Sequence, residues 1–528
     1  MTKYKPVVLI IMDGWGLSPS WGGNALMMNN PKNIDRLWRQ YPHKILQALG
    51  AIEYGNVVGE SRLGHLMLGA GRPVSGSHSI INRTIKDRSF FRNKVLKDAI
   101  SWAKDKNSNL HLLGMISAGG VHSDVDHLLT LLELCHKENF DRVYIDAITD
   151  GIDSGPTDAL KFIEKINHKI KELGTGHFST INGRRFAMDR DEHWDRIRKA
   201  FESLTQGKGE KFETAEKAVS SNYRNGVTDE FIEPAVIGTP TPIKENDSII
   251  FFNFREDRAK QLAKIFVGKN FRAFLWKPKV PDNLYFATFG NYAEDLSLKI
   301  AFPSIVYKNG LSETLSESGF HQLKVAESEK ASHVTSFFNG NNNGAYKFEE
   351  RKIVSSPDVS SFDLRPEMSA EEVTRSVVKA IEAGKYDFIL VNFANVDMVA
   401  HTGNIIAVGQ AVQILDKAVQ KIIDANLKVH GATIITADHG NAEQMINIDQ
   451  NVGERETLHT LNPVPFILIT PDNKKNLLKI SISYEPNALA KIIQAKDTLA
   501  DVAPTILELL NIPKPKEMTG KTLIGRLE

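Results

Sequence analysis

Hydrophobic and polar positions fall in blocks along this chain, short apolar runs alternating with segments of helical period. The apolar runs read as strands: "VVLIIM" (7–12), "LHLLGMI" (110–116), "VYIDAIT" (143–149), "SIIFFNF" (248–254), "DFILVNF" (387–393), "ATIITA" (432–437) and "VPFILIT" (464–470). Their near-continuous apolar character is what a strand covered on both faces requires. Between them, Ser369 and Glu372 stand at capping-box spacing, Val373, Val377 and Ile381 follow on one face, and Gly384 supplies a stop. A second helix, about 407–425, carries Val412, Leu415, Val419 and Ile423. Strands alternating with helices predict an α/β protein with largely parallel sheets. The polar "FFNGNNNGAYKFEER" (337–351) reads as a surface loop.

Two stretches interrupt this alternation: "PVSGSHS" (73–79), rich in Gly and Ser, and "FPSIVYKNG" (302–310). With both as linkers, residues 77–303 form an inserted domain, and 1–76 with 304–528 build one discontinuous domain. A chain of 528 residues is too long for a single core, which fits this division.

Composition narrows the function. Lys+Arg at 65 against Asp+Glu at 64 leaves no net field for nucleic acid or an acidic membrane. The run Val7–Met12 is too short for a signal h-region or a membrane span, so a cytoplasmic location is expected. The single cysteine, Cys135, forms no intramolecular disulfide and sits at a helical core spacing in "LLTLLELCHKEN".

Candidate chemistry collects just after strands, where ligands of open α/β sheets bind. Asp13 follows "VVLIIM"; Asp397 follows "DFILVNFANV", with His401 one helical turn on; Asp438 and His439 follow "ATIITA"; and His459 precedes the last strand. Any one of these could be a helix cap or a locally bonded histidine. Together they offer mixed Asp and His donors enough for two Mn²⁺ or Zn²⁺ ions. In "VVGESRLGHLMLGAG", Ser61 stands among glycines, yet the P-loop lysine and hydroxyl are missing after Gly64 and the nucleophile-elbow glycine falls one position late. Beside two divalent ions this serine becomes a candidate nucleophile for a phosphoryl group. The middle of the chain supplies a different set: His122, Asp150, Asp153, Arg184, Arg190, Arg255 and Arg258, with Lys330 after the second linker. Arginine forks suit carboxylate and phosphate, so a small, multiply anionic phospho-substrate is implied.

Most of these residues lie in motifs that resemble the cofactor-independent (2,3-bisphosphoglycerate-independent) phosphoglycerate mutases of the alkaline phosphatase superfamily: "IIMDGWG", "SRLGHLMLGAGR", "GGVHSD", "AMDRD", "FNFREDRA", "NFANVDMVAHTG", "TADHGNAE" and "HTLNPVPF". The resemblance spans nearly the whole chain. It implies an alkaline-phosphatase-like, largely parallel sheet domain carrying the serine and the metals, and an inserted α/β domain for substrate binding and transfer. It implies interconversion of 3- and 2-phosphoglycerate through phosphoserine, with two divalent ions (Mn²⁺ expected, Zn²⁺ or Co²⁺ the other choices) and no 2,3-bisphosphoglycerate. By motif, Asp13, Ser61, Asp438 and His439 match ligands of one ion, and Asp397, His401 and His459 those of the other. His122, Asp153, Arg184, Arg190, Arg255, Arg258 and Lys330 match substrate contacts, with Ser61, Asp153 and Lys330 as the catalytic set. The expected partner is a small phosphorylated hydroxy acid, bound by a monomer. Four positions depart from the family pattern: Glu60 and Arg62 beside the serine, Asp124 in place of a histidine, and Ile152 in place of an arginine. A related metal-dependent phosphomutase or phosphatase acting on another phospho-acid is the alternative they raise.

Overall fold

The apolar runs become the interior strands of two sheets. In the computed structural model, which describes residues 3–18, 23–48, 60–268, 271, 276–293, 296–446, 455–474 and 495–527, the chain divides into two compact units. One is built from residues 1–75 and 305–528, the other from 76–304. Gly76 caps the helix Ser77–Lys86 and so belongs to the second unit.

The sheet of the first unit has the order Glu349–Val354, Gln322–Glu327, Phe388–Phe393, Val7–Met12, Ala432–Thr436, Val464–Ile469, His43–Leu46. The first five strands run parallel, and the last two join antiparallel. Val7–Met12 lies at the centre and is buried along its whole length, as its unbroken apolar pattern requires. Helices Ala370–Glu382 and Ile405–Lys428 pack on this sheet in a single core cluster.

Three of these strands, Gln322–Glu327, Glu349–Val354 and His43–Leu46, were invisible to the apolar pattern. Gln322–Glu327 is fully buried although Gln, Lys and Glu stand in it. Lys324 donates to Ser312 Oγ at 2.9 Å and to Asn339 Oδ1, with Glu349 at 3.3 Å, so a satisfied polar network replaces hydrophobic alternation. Burial lowers the Lys324 ammonium to a pKa of about 7 against the pull of Glu349. That network also corrects the expected loop at 337–351, which holds buried Phe338 and Asn339 and ends in the edge strand Glu349–Val354. The expected capping box fails as well: Ser369 Oγ donates to the Ser355 carbonyl at 2.7 Å and makes no cap bond to the helix.

The second unit is an eight-stranded sheet in the order Lys299–Ile300, Tyr285–Thr288, Ser248–Phe251, Leu110–Met115, Val143–Thr149, His177–Gly183, Ala235–Ile237, Glu210–Phe212. Its pairs are parallel except between His177–Gly183 and Ala235–Ile237. Separate apolar clusters cover the two faces. Cys135 is buried in one of them, and burial pushes its thiol up to about 12.

Candidate active site

In the first unit the chemistry sits at the carboxyl ends of neighbouring parallel strands. Asp13 ends Val7–Met12, Asp397 follows Phe388–Phe393, Asp438 follows Ala432–Thr436, and Lys330 follows Gln322–Glu327. The chain must turn tightly there: Gly14 adopts φ 73°, and a Cβ on it would lie 2.9 Å from the Asp397 Cβ. Ser61 is not in a loop; it is the first residue of the helix Ser61–Ala70. The glycine at 64 serves packing, since a Cβ there would meet the Asp438 carbonyl oxygen at 2.5 Å. Gly59 lies outside the described residues.

Around Ser61 the groups converge. Its Oγ lies 2.5 Å from His439 Nε2 and 3.2 Å from Lys330 Nζ. His439 Nδ1 faces the Gly440 carbonyl at 3.1 Å, which leaves the Nε2 lone pair aimed at the serine. The same Nε2 is 3.3 Å from Asp438 Oδ2 and 3.5 Å from Asp13 Oδ1. Lys330 Nζ also donates to Asp13 at 2.8 Å and Asp397 at 2.7 Å. On the other side of Asp397, His401 Nε2 and His459 Nε2 approach within 3.0 Å of each other, at 3.5 and 3.4 Å from its oxygens. His401 Nδ1 donates to the Thr457 carbonyl at 2.8 Å, fixing that ring too. His401 is 38% exposed, so the cluster opens to solvent on its side.

The electrostatics of this cluster fit divalent cations. Asp13, Asp397 and Asp438 are all but fully buried, with the single ammonium of Lys330 among them. Burial, then the neighbouring Asp438 charge, raises Asp13 to about 6. Burial would also raise Asp397, but Lys330 and the two histidines outweigh it and hold that carboxyl well below the usual range. Burial depresses His439 and His459, keeping both rings in the neutral form that ligates. Buried carboxylates in such excess require cationic partners, and mixed carboxylate and imidazole donors suit first-row divalent ions.

The second unit brings the arginines together at its own strand ends. Arg184, 3% exposed, donates to Asp150 at 2.5 Å and to Asp153 at 3.0 Å. Asp257 collects Arg255 at 3.2 Å, Arg190 at 3.5 Å and His122 Nδ1 at 3.5 Å. Arg258 donates to the Met188 carbonyl at 3.3 Å. Burial lowers His122 to about 3, and Arg255, Arg184 and Arg258 add to the effect, so His122 is neutral. Three guanidiniums held by three carboxylates, and Arg258 held by a carbonyl, can exchange those partners for an anionic ligand. In the first unit, Lys330 lies with Asp13, Ser61 and Asp397.

Comparison with known proteins decides what these sites belong to. A family model for the N-terminus of BPG-independent phosphoglycerate mutases matches residues 81–294, and one for type I phosphodiesterases and nucleotide pyrophosphatases matches 303–521. The 2,3-bisphosphoglycerate-independent phosphoglycerate mutase 1 of Methanosarcina acetivorans is 44% identical over 98% of both chains, and that of Methanosarcina barkeri 45% over the same shares. This chain belongs to the 2,3-bisphosphoglycerate-independent phosphoglycerate mutase family. A Leishmania mexicana phosphoglycerate mutase, solved at low cobalt concentration, superposes with a TM-score of 0.77 at 26% identity, covering 98% of this chain and 97% of that one.

Within this family member, sequence reasoning missed the groups that hold the site in shape. His65, one turn after Ser61, points Nδ1 at the Ser61 carbonyl (2.9 Å) and Asp438 Oδ2 (3.2 Å), while Asn392 Nδ2 lies 3.0 Å from its Nε2. With both ring nitrogens engaged, His65 positions Ser61 and Asp438. Asn392 also donates to Asp13 (2.8 Å), and Asn441 donates to Asp397 (2.8 Å). The i, i+4 spacing of Ser61 and His65 on a helix was the available signal for His65. Of the four departures, Glu60 is the N-cap of the Ser61 helix and makes no side-chain cap bond; Arg62 lies over the Phe337 ring at 5.4 Å. Ile152 is 53% exposed, and Asp124 accepts from His78 at 2.8 Å.

Proposed function

We propose that this chain interconverts 3-phosphoglycerate and 2-phosphoglycerate, with Ser61 carrying the phosphoryl group between the two hydroxyls. The observation that carries this reading is Ser61 Oγ, held at 2.5 Å from His439 and 3.2 Å from Lys330 inside a buried carboxylate–histidine cluster, in a member of this family. Ser61 Oγ attacks phosphorus, the bond to the glycerate 3-oxygen breaks, and that oxygen takes a proton; the reverse sequence at the 2-hydroxyl completes the isomerisation. Lys330 steadies the negative charge that develops on Ser61 Oγ and on the phosphoryl oxygens. Asp153, whose carboxyl burial raises above its usual range, exchanges the proton with the glycerate hydroxyls.

Asp13, Ser61, Asp438 and His439 would hold one divalent ion, and Asp397, His401 and His459 a second, with Mn²⁺ the expected species. Bound there, such ions lower the pKa of the serine hydroxyl and neutralise the phosphoryl oxygens. His122, Arg184, Arg190, Arg255 and Arg258 bind the carboxylate and phosphate of the acid, and they keep the glycerate from leaving while the phosphoryl group is on Ser61. Isomerisation outcompetes hydrolysis only if that alcohol stays bound and oriented. The chain would do this in the cytoplasm as a monomer; among the described residues no helix is long and apolar enough to cross a membrane. Phosphorus NMR of the full-length protein with 3-phosphoglycerate and Mn²⁺ tests the reading. It predicts 2-phosphoglycerate growing to equilibrium without net phosphate release; free phosphate as the main product, or no turnover, overturns it.

A further inference from the structure

The second unit also holds another group of metal-capable side chains, beginning two residues after His122. His78 lies on the helix Ser77–Lys86, and His127 lies on the helix Val125–Lys137, which Asp124 caps. One donor atom from each of His78, Asp124 and His127 lies within 4.8 Å of the others. His78 Nε2 is 2.8 Å from Asp124 Oδ2 and 3.2 Å from the Asn82 amide, whose other atom is 2.8 Å from His127 Nε2.

The hydrogen bonds of this group conflict. His78 Nε2 faces a carboxylate, which calls for a proton on that nitrogen, and the Asn82 NH₂, which calls for a lone pair. Turning the amide over relieves His78 but makes His127 Nε2 the acceptor, which puts the His127 proton on Nδ1. That atom is buried without a hydrogen-bond partner, and the Phe254 and Phe289 rings flank the imidazole. Either orientation therefore leaves a fully buried ring unsatisfied, since His127 is 0% exposed. Burial also lowers the His127 pKa to about 3, so the ring is in its ligating, neutral form.

We propose that His78, Asp124 and His127, joined by the Asn82 amide oxygen, form a further divalent-cation site of the Zn²⁺ class, which fastens the helix opening this unit to the helix that follows His122. A central ion resolves the conflict at His78, because His78 Nε2, Asp124 Oδ2, the Asn82 oxygen and His127 Nε2 then all present lone pairs inward, while the His127 Nδ1 proton stays without a partner, as in the turned-over amide. Tetrahedral donors at 2.0–2.2 Å from an ion stand roughly 3.3–3.6 Å apart, so the observed spacings need to open by about half an ångström. Asp124 can ligate without giving up its structural role, since one oxygen caps the helix through the Asp126 amide and the other faces His78. His78 and Asp124 are 14% and 16% exposed, which leaves an approach from solvent.

The test counts metal on the full-length chain. Wild type, His78→Ala and Asp124→Asn are stripped with chelator and dialysed against micromolar Zn²⁺, and bound zinc per chain is measured by elemental analysis alongside the melting temperature. Asparagine keeps the helix cap, so Asp124→Asn removes the charge with little cost to the fold. The proposal predicts one equivalent less zinc in each variant than in wild type, and a smaller zinc-induced rise in Tm. If circular dichroism shows that His78→Ala has lost structure, His78→Gln is read in its place. Equal zinc in all proteins, or equal Tm gains, overturns the proposal. Because Asp13, Asp397 and Asp438 are untouched, the result is independent of the Ser61 reading.

Discussion

His111 offers a prediction whose size follows from the structure. It lies in the central strand Leu110–Met115 of the second unit and is fully buried, with Nδ1 2.8 Å from Asp146 Oδ2 and Nε2 3.6 Å from Asp247 Oδ2. Burial alone would discharge the ring, but the two carboxylates outweigh it and raise its pKa from 6.5 to about 9. A folded-state pKa above the unfolded one means stability that is complete below pH 6.5 and disappears as pH rises through about 9. That displacement corresponds to roughly 3 kcal/mol. In a unit of about 230 residues, 1 kcal/mol moves Tm by roughly 2–4 °C, so the effect on this unit is about 6–12 °C. Calorimetry of wild type and His111→Gln at pH 6 and pH 9.5 isolates it, because glutamine can still donate to Asp146 but does not titrate. The wild-type transition for this unit should fall by that margin more than the variant's over the same interval. Parallel pH dependence in the two proteins would refute the charged His111–Asp146 pair.

Gly64→Ala should leave the helix formed but push Asp438 aside, since a Cβ would sit 2.5 Å from the Asp438 carbonyl oxygen; kcat should fall about a hundredfold, and overpacking of about 1–3 kcal/mol should lower Tm by several degrees. Unchanged kcat would mean that the Asp438 position is not critical. Arg184→Lys removes the guanidinium whose Nη1 holds both Asp150 and Asp153 and whose Nε has no hydrogen-bond partner, and the loss of a charge-assisted contact worth about 1.5–3 kcal/mol should lower kcat/KM by roughly ten- to a hundredfold, mostly through KM. Equal kinetics in the lysine variant would remove Arg184 from substrate binding.

The parts of the molecule legible in the sequence were those where one physical requirement dominates. Strands such as Val7–Met12 and Ala432–Thr436 are covered on both faces, so their composition alone marks them. Gln322–Glu327 escaped because its buried lysine is satisfied by Ser312, Asn339 and Glu349, residues that no local pattern connects to it. The same division holds at the site. Asp13, Asp397 and Asp438 were readable as carboxylates at strand ends, whereas Asn392 and Asn441 act only through partners distant in sequence. Asp257, which draws together Arg190, Arg255 and His122, was hidden between the arginines it serves. Lys330 was readable as a cation of the catalytic and substrate set, but not its carboxylate partners Asp13 and Asp397, which lie more than sixty residues away.

The central claim is that Ser61 carries the phosphoryl group, and the most direct measurement looks for it there. The full-length protein is mixed with 3-phosphoglycerate, quenched in acid within the turnover time, digested, and the Ser61 peptide examined by mass spectrometry. The account predicts phosphate on Ser61 that appears only with substrate, and a Ser61→Ala variant that is neither labelled nor active while retaining its fold. Turnover with an unmodified Ser61 peptide, together with an active Ser61→Ala variant, would contradict it.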